Sequence, residues 1–336
     1  MTYKKHVLIL SAAAAVLGLL YAGTLILTPE RLNSRNAAYT WLEPKWTDHA
    51  DRIEISGERE TLTLVRQNAV WYVETEGAEY PAKQGRVDDL LRLLSRRGAY
   101  PVRGSAASSH ERLGLGGNAS RIVVRGGPGA APLLDLLVGG GDATGREVYL
   151  RKNGQNEVRS GEDLFSVYLS PSPSPWYNLR LFPQDGAGAL SLDSVQRVTA
   201  VSPPPEGETS GEDLPSASLV ITRSGSGWTV EGVAADALDS SQIDPYIRAI
   251  LDAEGDGFAA AVTAEDPVFT EGRIHLELGD GATRTIRLGA ALPSAEEGAG
   301  KRIVTVSGSP YVYTLAEWTV NRLFRDAASF RKQEEP

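Results

Sequence analysis

The chain has 336 residues, 41% of them hydrophobic, with a formal net charge of −9. That length suits about two domains, and the acidic balance excludes a sequence-independent grip on nucleic acid, which needs clustered Lys and Arg to displace counterions from phosphates. The absence of cysteine excludes disulfides, thiolate zinc sites, iron–sulfur clusters, cysteine nucleophiles and a lipidated N-terminal cysteine.

Lys4 and Lys5 precede an uncharged apolar run from Val7 to Leu27, about long enough to cross a bilayer as a helix. The run exceeds the usual signal-peptide core and is not followed by a convincing small-x-small cleavage site. Residues 7–27 are therefore expected to be a retained single-pass anchor. Residues 1–6 would then form a cytoplasmic basic flank, with the body on the periplasmic or extracytoplasmic side of a bacterial inner membrane. Residues 28–50 read as a membrane-proximal connector, in which Trp41 and Trp46 either sit near headgroups or pack on the first domain.

From Asp51 the pattern is strand-like. "DRIEIS" alternates, and "TLTLVRQNAVWYVE" reads as a hairpin. "GRVDDLLRLLSRRG" predicts a helix with Val87, Leu90, Leu91 and Leu94 on one face and Gly98 as a stop. "RIVVRG", "PLLDLLVG" and "EVYLRKNGQNEVRSG" predict further strands. "SGEDLFSVYL" predicts a closing helix with Ser160 and Asp163 as a capping box.

The second half repeats this order. "QRVTAV", "SLVITRSGSGWTVE", "SSQIDPYIRAILDAEGDG", "RIHLELGDGATRTIRLGA" and "RIVTVSGSPYVYTLAEWTVNRLF" match in sequence, with Trp228 on Trp71, Ile243, Ile247 and Ile250 on one helix face, and Thr314 with Glu317 as a second capping box. A period of about 150 residues means two tandem domains and not a solenoid. The expected architecture is α+β, a first repeat at 51–182, a hinge at 183–195 and a second repeat at 196–331, each a mostly antiparallel sheet with packed helices. Residues 202–218 read as a mobile insert in the first hairpin of the second copy.

"LLVGGGDATGREVYL" has the look of a phosphate-binding loop, but Arg146 and Glu147 follow its last glycine and a strand comes next. A phosphate loop needs Lys then Ser or Thr, opening a helix whose free amides face the anion. The loop is expected to be a strand connector, and no nucleotide or other cofactor is expected. His275 and Glu277 share one strand face opposite Ile274, Leu276 and Leu278, which reads as a solvated face because a zinc site needs three or four protein ligands. No nucleophile elbow or Ser-x-x-Lys at a helix start is present, and the paired carboxylates Asp88–Asp89 and Glu296–Glu297 read as solvated surface.

The residues with an interaction reading are Arg92, Arg96, Arg97 and Arg103, clustered at and after the first helix, and Trp176 in "SPSPSPW" between the copies. Such arginines suit anionic headgroups or a partner's acidic face, or merely the helix C-terminus. Trp176 suits a partner's pocket. Trp71 and Trp228 suit a core position, or stacking on sugar rings if exposed.

The strand endings "WYVE" and "WTVE", "ERLGLGG" before "RIVVR", the Leu-x-x-Gly-Gly strand end, "EVYLR" leading into a capped helix, and the Leu-Arg of "YNLRLF", echoed by Phe330 and Arg331, carry a resemblance. From about Asp51 to the end, in two copies, the chain resembles the domain-of-unknown-function 4340 family. That resemblance implies a bacterial protein with an N-terminal membrane segment and an exported body, in an accessory role beside ABC-type transport or gliding-associated components; it implies no catalytic residues. "EDPVFTEGRIHLEL" lacks a counterpart to Leu113–Leu115. The expectation is a non-enzymatic envelope scaffold with a protein partner, the alternative being a polysaccharide or small-ligand module in an inter-domain groove.

Overall fold

The computed structural model describes residues 6, 13–23, 40–75, 77–184, 188–203, 218–260, 262–264, 269, 272–292 and 300–332. They belong to two compact units, Met1–Trp176 and Tyr177–Pro336. Residues 13–23 are helical, whereas 7–12 and 24–27 of the expected anchor lie outside the described residues, as do 204–217 of the expected insert. Among the described residues no helix is long and apolar enough to cross a membrane.

In the first unit, strands β1 (Arg52–Ser56), β2 (Thr61–Gln67), β3 (Val70–Thr75) and β4 (Ala78–Pro81) precede helix α1 (Gln84–Leu94). After α1 come β5 (Val102–Gly104), β6 (Ser120–Arg125), β7 (Pro132–Gly141), β8 (Glu147–Lys152) and β9 (Val158–Glu162). They form one nine-stranded sheet in the order β4-β3-β2-β1-β6-β7-β8-β9-β5. Register explains the alternation read from sequence. Ile53 pairs with Leu64 and Val124, and Ile55 with Leu62 and Ile122, so one face is apolar across three strands. All six of those side chains are buried.

The second unit has β10 (Val195–Val201), β11 (Ser218–Ser224), β12 (Gly227–Val230), helix α2 (Ile243–Leu251), β13 (Gly257–Phe258), β14 (Gly272–Leu278), β15 (Thr283–Leu292), β16 (Lys301–Val306), β17 (Val312–Ala316) and helix α3 (Glu317–Leu323). Its order is β12-β11-β10-β14-β15-β16-β17-β13, which is the first sheet's order without a β4. The register repeats too: Val198 pairs with Ile221 and Leu276, and Ala200 with Leu219 and Ile274. Both sheets are antiparallel at every pairing among the described strands.

The helices seal one face of each sheet. Helix α1 buries Val87, Leu90, Leu93 and Leu94, so Leu93 takes the place expected of Leu91, and the helix stops before Gly98. Helix α2 buries Ile243, Ile247 and Ile250, with Tyr246 and Leu251. The closing helix of the first unit is a short 3₁₀ helix, Asp163–Tyr168.

Neither expected capping box forms. Ser160 lies inside β9, its Oγ accepting from Arg103 Nε at 2.9 Å, and the cap is Glu162. Thr314 lies inside β17, and the cap of α3 is Ala316, whose N–H is held by the Asp256 carboxylate. The strand runs up to the helix in both copies, which puts Asp163 and Glu317 at the first helical position, where they cannot reach back to the cap amide as a third-position acid does.

Two assignments at the edges of the units also shift. Trp41, Leu42 and Ala50 are buried within the unit that begins at Met1, so the latter part of the expected connector packs on the first sheet. Leu181 and Phe182, read as the end of the first repeat, pack in the second core with Val195 and Val198.

Candidate functional site

Of the basic residues singled out in sequence, Arg96, Arg97 and Arg103 come together around Glu147 and Glu162, whereas Arg92, among the described residues, binds only Asp89 on its own helix. Helix α1 carries Arg92 and leads to Arg96 and Arg97, β5 carries Arg103, the β7–β8 turn adds Arg146, and β8 starts with Glu147. Most are paired. Arg92 binds Asp89 at 2.7 Å, Arg96 binds Glu162 at 2.9 Å, and Arg103 binds Glu147 at 2.6 Å while donating to Ser160. These exposed pairs contribute about 0–1 kcal/mol each, so they set position more than stability.

Two cavities flank this network. One of about 400 Å³ is lined by Arg96, Arg97, Tyr100, Arg146, Glu147 and Glu162. Another of about 740 Å³ is lined by Arg103, Ser105, Ser109, Arg112 and Tyr149. Among the described residues Arg97 and Arg112 make no ion pair or side-chain hydrogen bond, and neither does the Arg146 guanidinium. The network thus leaves uncompensated positive charge at both cavities. Burial pushes the Tyr100 hydroxyl up to about 12, which keeps it a neutral hydrogen-bonding group.

The glycine-rich loop forms the turn beside this site, and it is a strand connector as expected. Its strand ends at Gly141, and the Asp142 carboxylate accepts from the Thr144 hydroxyl at 2.7 Å and the amides of Arg146 and Glu147. Those donors, Thr144 foremost, lower Asp142 to about 2. The loop's amides therefore serve its own carboxylate. Its glycines serve packing: a methyl on Gly139 would collide with the Leu113 carbonyl oxygen and the Leu115 side chain, and Gly114 (φ 71°) lies against the Gly140 amide.

The other candidates fall elsewhere. Trp176 is fully buried in the first unit, under the Arg86 guanidinium at 4.7 Å and beside Tyr168 at 5.9 Å. Its carbonyl accepts from Lys83 N at 2.8 Å. It closes the base of α1 and is not available as an anchor for a partner. Phe330 occupies the same position in the second unit, buried against Tyr246 at 5.3 Å with its carbonyl accepting from Asp239 N at 2.9 Å. Phe330 is thus the counterpart of Trp176, not of "YNLRLF".

Trp71 is buried, and Trp228 is half-buried with its Nε1 donating to Asp244 at 2.7 Å. Each pairs across its hairpin with an arginine that lies over the ring, Arg66 at 6.0 Å and Arg223 at 4.4 Å. His275 and Glu277 do share the polar face of β14, where His275 Nδ1 is hydrogen-bonded to Thr285 Oγ1 at 2.9 Å. A feature not singled out in sequence is Trp318 on α3, 65% exposed beside Arg322. Its place in the amphipathic pattern gave no warning, because the preceding strand hides the phase of so short a helix.

The family model for the domain of unknown function DUF4340 matches residues 71–272. The chain belongs to this family. The DUF4340 match is one continuous stretch from β3 to the start of β14, running through the boundary between the two sheets. It contains every residue named above as lining the two cavities. No curated protein matches the chain, and no solved structure does.

Proposed function

We propose that this DUF4340 protein is a non-enzymatic accessory or scaffold subunit of an envelope complex of the ABC-type transport or gliding-like kind. Residues 7–27 anchor it in a bacterial inner membrane, and the body stands on the extracytoplasmic side. The observation that carries the reading is the set of arginines without carboxylate partners, Arg97, Arg112 and Arg146, lining two cavities on a chain of net charge −9. Local positive charge on an acidic protein suits the acidic face of a protein partner, where Arg residues form strong bidentate contacts. The anchor is supported by the apolar side chains of the 13–23 helix. Leu17, Leu19 and Leu20 are 67%, 74% and 62% exposed, a surface that lipid would cover.

The test is mass spectrometry of proteins retained by the tagged full-length chain from mildly solubilised native membranes, with residues 1–50 alone as control. A transport or gliding component held by the full chain, and lost from an Arg97→Glu/Arg112→Glu/Arg146→Glu variant that still folds, is the expected result. Recovery of no such component after crosslinking, or release of the chain from membranes by salt alone, would overturn the proposal.

A further inference from the structure

A third cavity lies at the other end of the β7–β8 hairpin, where β7 starts and β8 ends. It measures about 360 Å³, within the roughly 300–1,000 Å³ range of small-molecule sites. Its walls are two indoles, Trp41 and Trp46, and the side chains of Leu133 and Leu134, with Lys152 and the Glu43–Lys45 pair at its polar side. Three features single it out.

First, Lys152 is a cation without an ion-pair partner among the described residues. Its nearest carboxylate influence, Glu43, is already bound to Lys45 at 2.6 Å. Burial and the neighbouring Arg159 charge lower its proton affinity, so an incoming anion would relieve an unfavourable position. Second, Trp41 is only 7% exposed, yet its Nε1 is buried with no hydrogen-bond partner. That nitrogen has no exposed surface and stays inside the wall, so Trp41 meets the cavity as an apolar ring. Third, Lys152 Nζ and Arg159 Cζ lie 5.3 and 5.6 Å from the Trp41 ring centroid, while Tyr100 packs on it at 5.2 Å. That packing fixes the indole rigidly. Arg159 is spoken for by Glu157 at 2.7 Å and the Tyr100 carbonyl at 2.8 Å, which leaves Lys152 as the cation open to a ligand.

We propose that this cavity is a binding site for a small carboxylate with a flat apolar body, an aromatic or alicyclic acid. The ring lies among Trp41, Trp46, Leu133 and Leu134, and the carboxylate pairs with Lys152. Apolar walls with a few convergent polar groups are the usual composition of such sites. A flat body gains from indole contact beyond its buried area. The site does not depend on the scaffold reading and shares no lining residue with the arginine cavities.

The experiment is calorimetric titration of the full-length chain in phosphatidylcholine nanodiscs with 2-naphthoate, against empty nanodiscs. Saturable binding to one site is expected. Replacing the probe by neutral 2-naphthalenemethanol, or Lys152 by Gln, should each weaken it about tenfold or more, the worth of a charge-assisted contact. Trp46→Ala should weaken it as well, and Lys152→Arg should retain it, which separates loss of charge from loss of fold. Heats equal to those of empty nanodiscs, or binding unchanged in Lys152→Gln, would overturn the proposal.

Discussion

At Gly139 a single methyl group would meet the Leu113 carbonyl oxygen and the Leu115 side chain. The backbone there cannot retreat, because Gly139 sits inside β7, and the Gly114 turn is pinned against Gly140. Gly139→Ala is therefore expected to cost about 1–3 kcal/mol as overpacking, seen as a lower denaturant midpoint with an unchanged slope. The same site explains why a run of glycines in a sequence is ambiguous. Close approach of two backbones and cradling of a phosphate need the same residue, and what separated them was Arg146 and Glu147 in place of Lys and Ser or Thr, with a strand following in place of a helix. The Arg66–Trp71 and Arg223–Trp228 pairs were half legible: the tryptophans match between the copies, but the arginine partner is defined by the hairpin register.

Among the elements, the segments that close each unit carry the clearest division between what sequence shows and what it hides. The hairpin β2–β3 and the amphipathic helices follow from local alternation and spacing, so their existence was readable from the chain. The burial of Trp176 was not, because its partners Lys83 and Arg86 at the base of α1 lie far away in sequence. The proline-rich "SPSPSPW" read as a surface that presents Trp176 to a partner, yet the segment folds back as a plug. Trp176→Ala is expected to destabilise the first unit by about 3–5 kcal/mol, measured by chemical denaturation. The arginine cluster divides in the same way: the charges are visible as a run, while Glu147 and Glu162, which neutralise part of it, come from β8 and β9. The capping boxes misled because strand and helix abut, and a four-residue pattern cannot tell a cap from a strand end.

For the whole molecule, three tyrosines set a limit on the alkaline side. Burial raises the hydroxyls of Tyr100, Tyr246 and Tyr313, Tyr100 to about 12. Below pH about 10 the phenols are neutral in both folded and unfolded chains and pH has no effect through them. Above it the unfolded chain ionises first, so stability falls as pH rises toward the folded values, by on the order of 1 kcal/mol per pH unit for each group. Unfolding free energy measured from pH 9 upward should show that decline, reduced in Tyr246→Phe, which also gives up the hydrogen bond to the Leu323 carbonyl. Two similar sheets were readable as a repeated order of patterns, whereas β4 and its absence from the second sheet were not, since so short a strand has no period of its own. The repeated strand order also imposes a timetable on synthesis. Strand β1 finds β2 at once but waits for β6, and the equivalent partner in the other copy, β14, presents a similar apolar face. A ribosome delivers Ser120–Arg125 long before Gly272–Leu278, so vectorial emergence lets the first sheet close before its rival exists. Refolding from denaturant removes that head start and exposes the chain to exchanged pairings between copies, the characteristic failure of tandem domains.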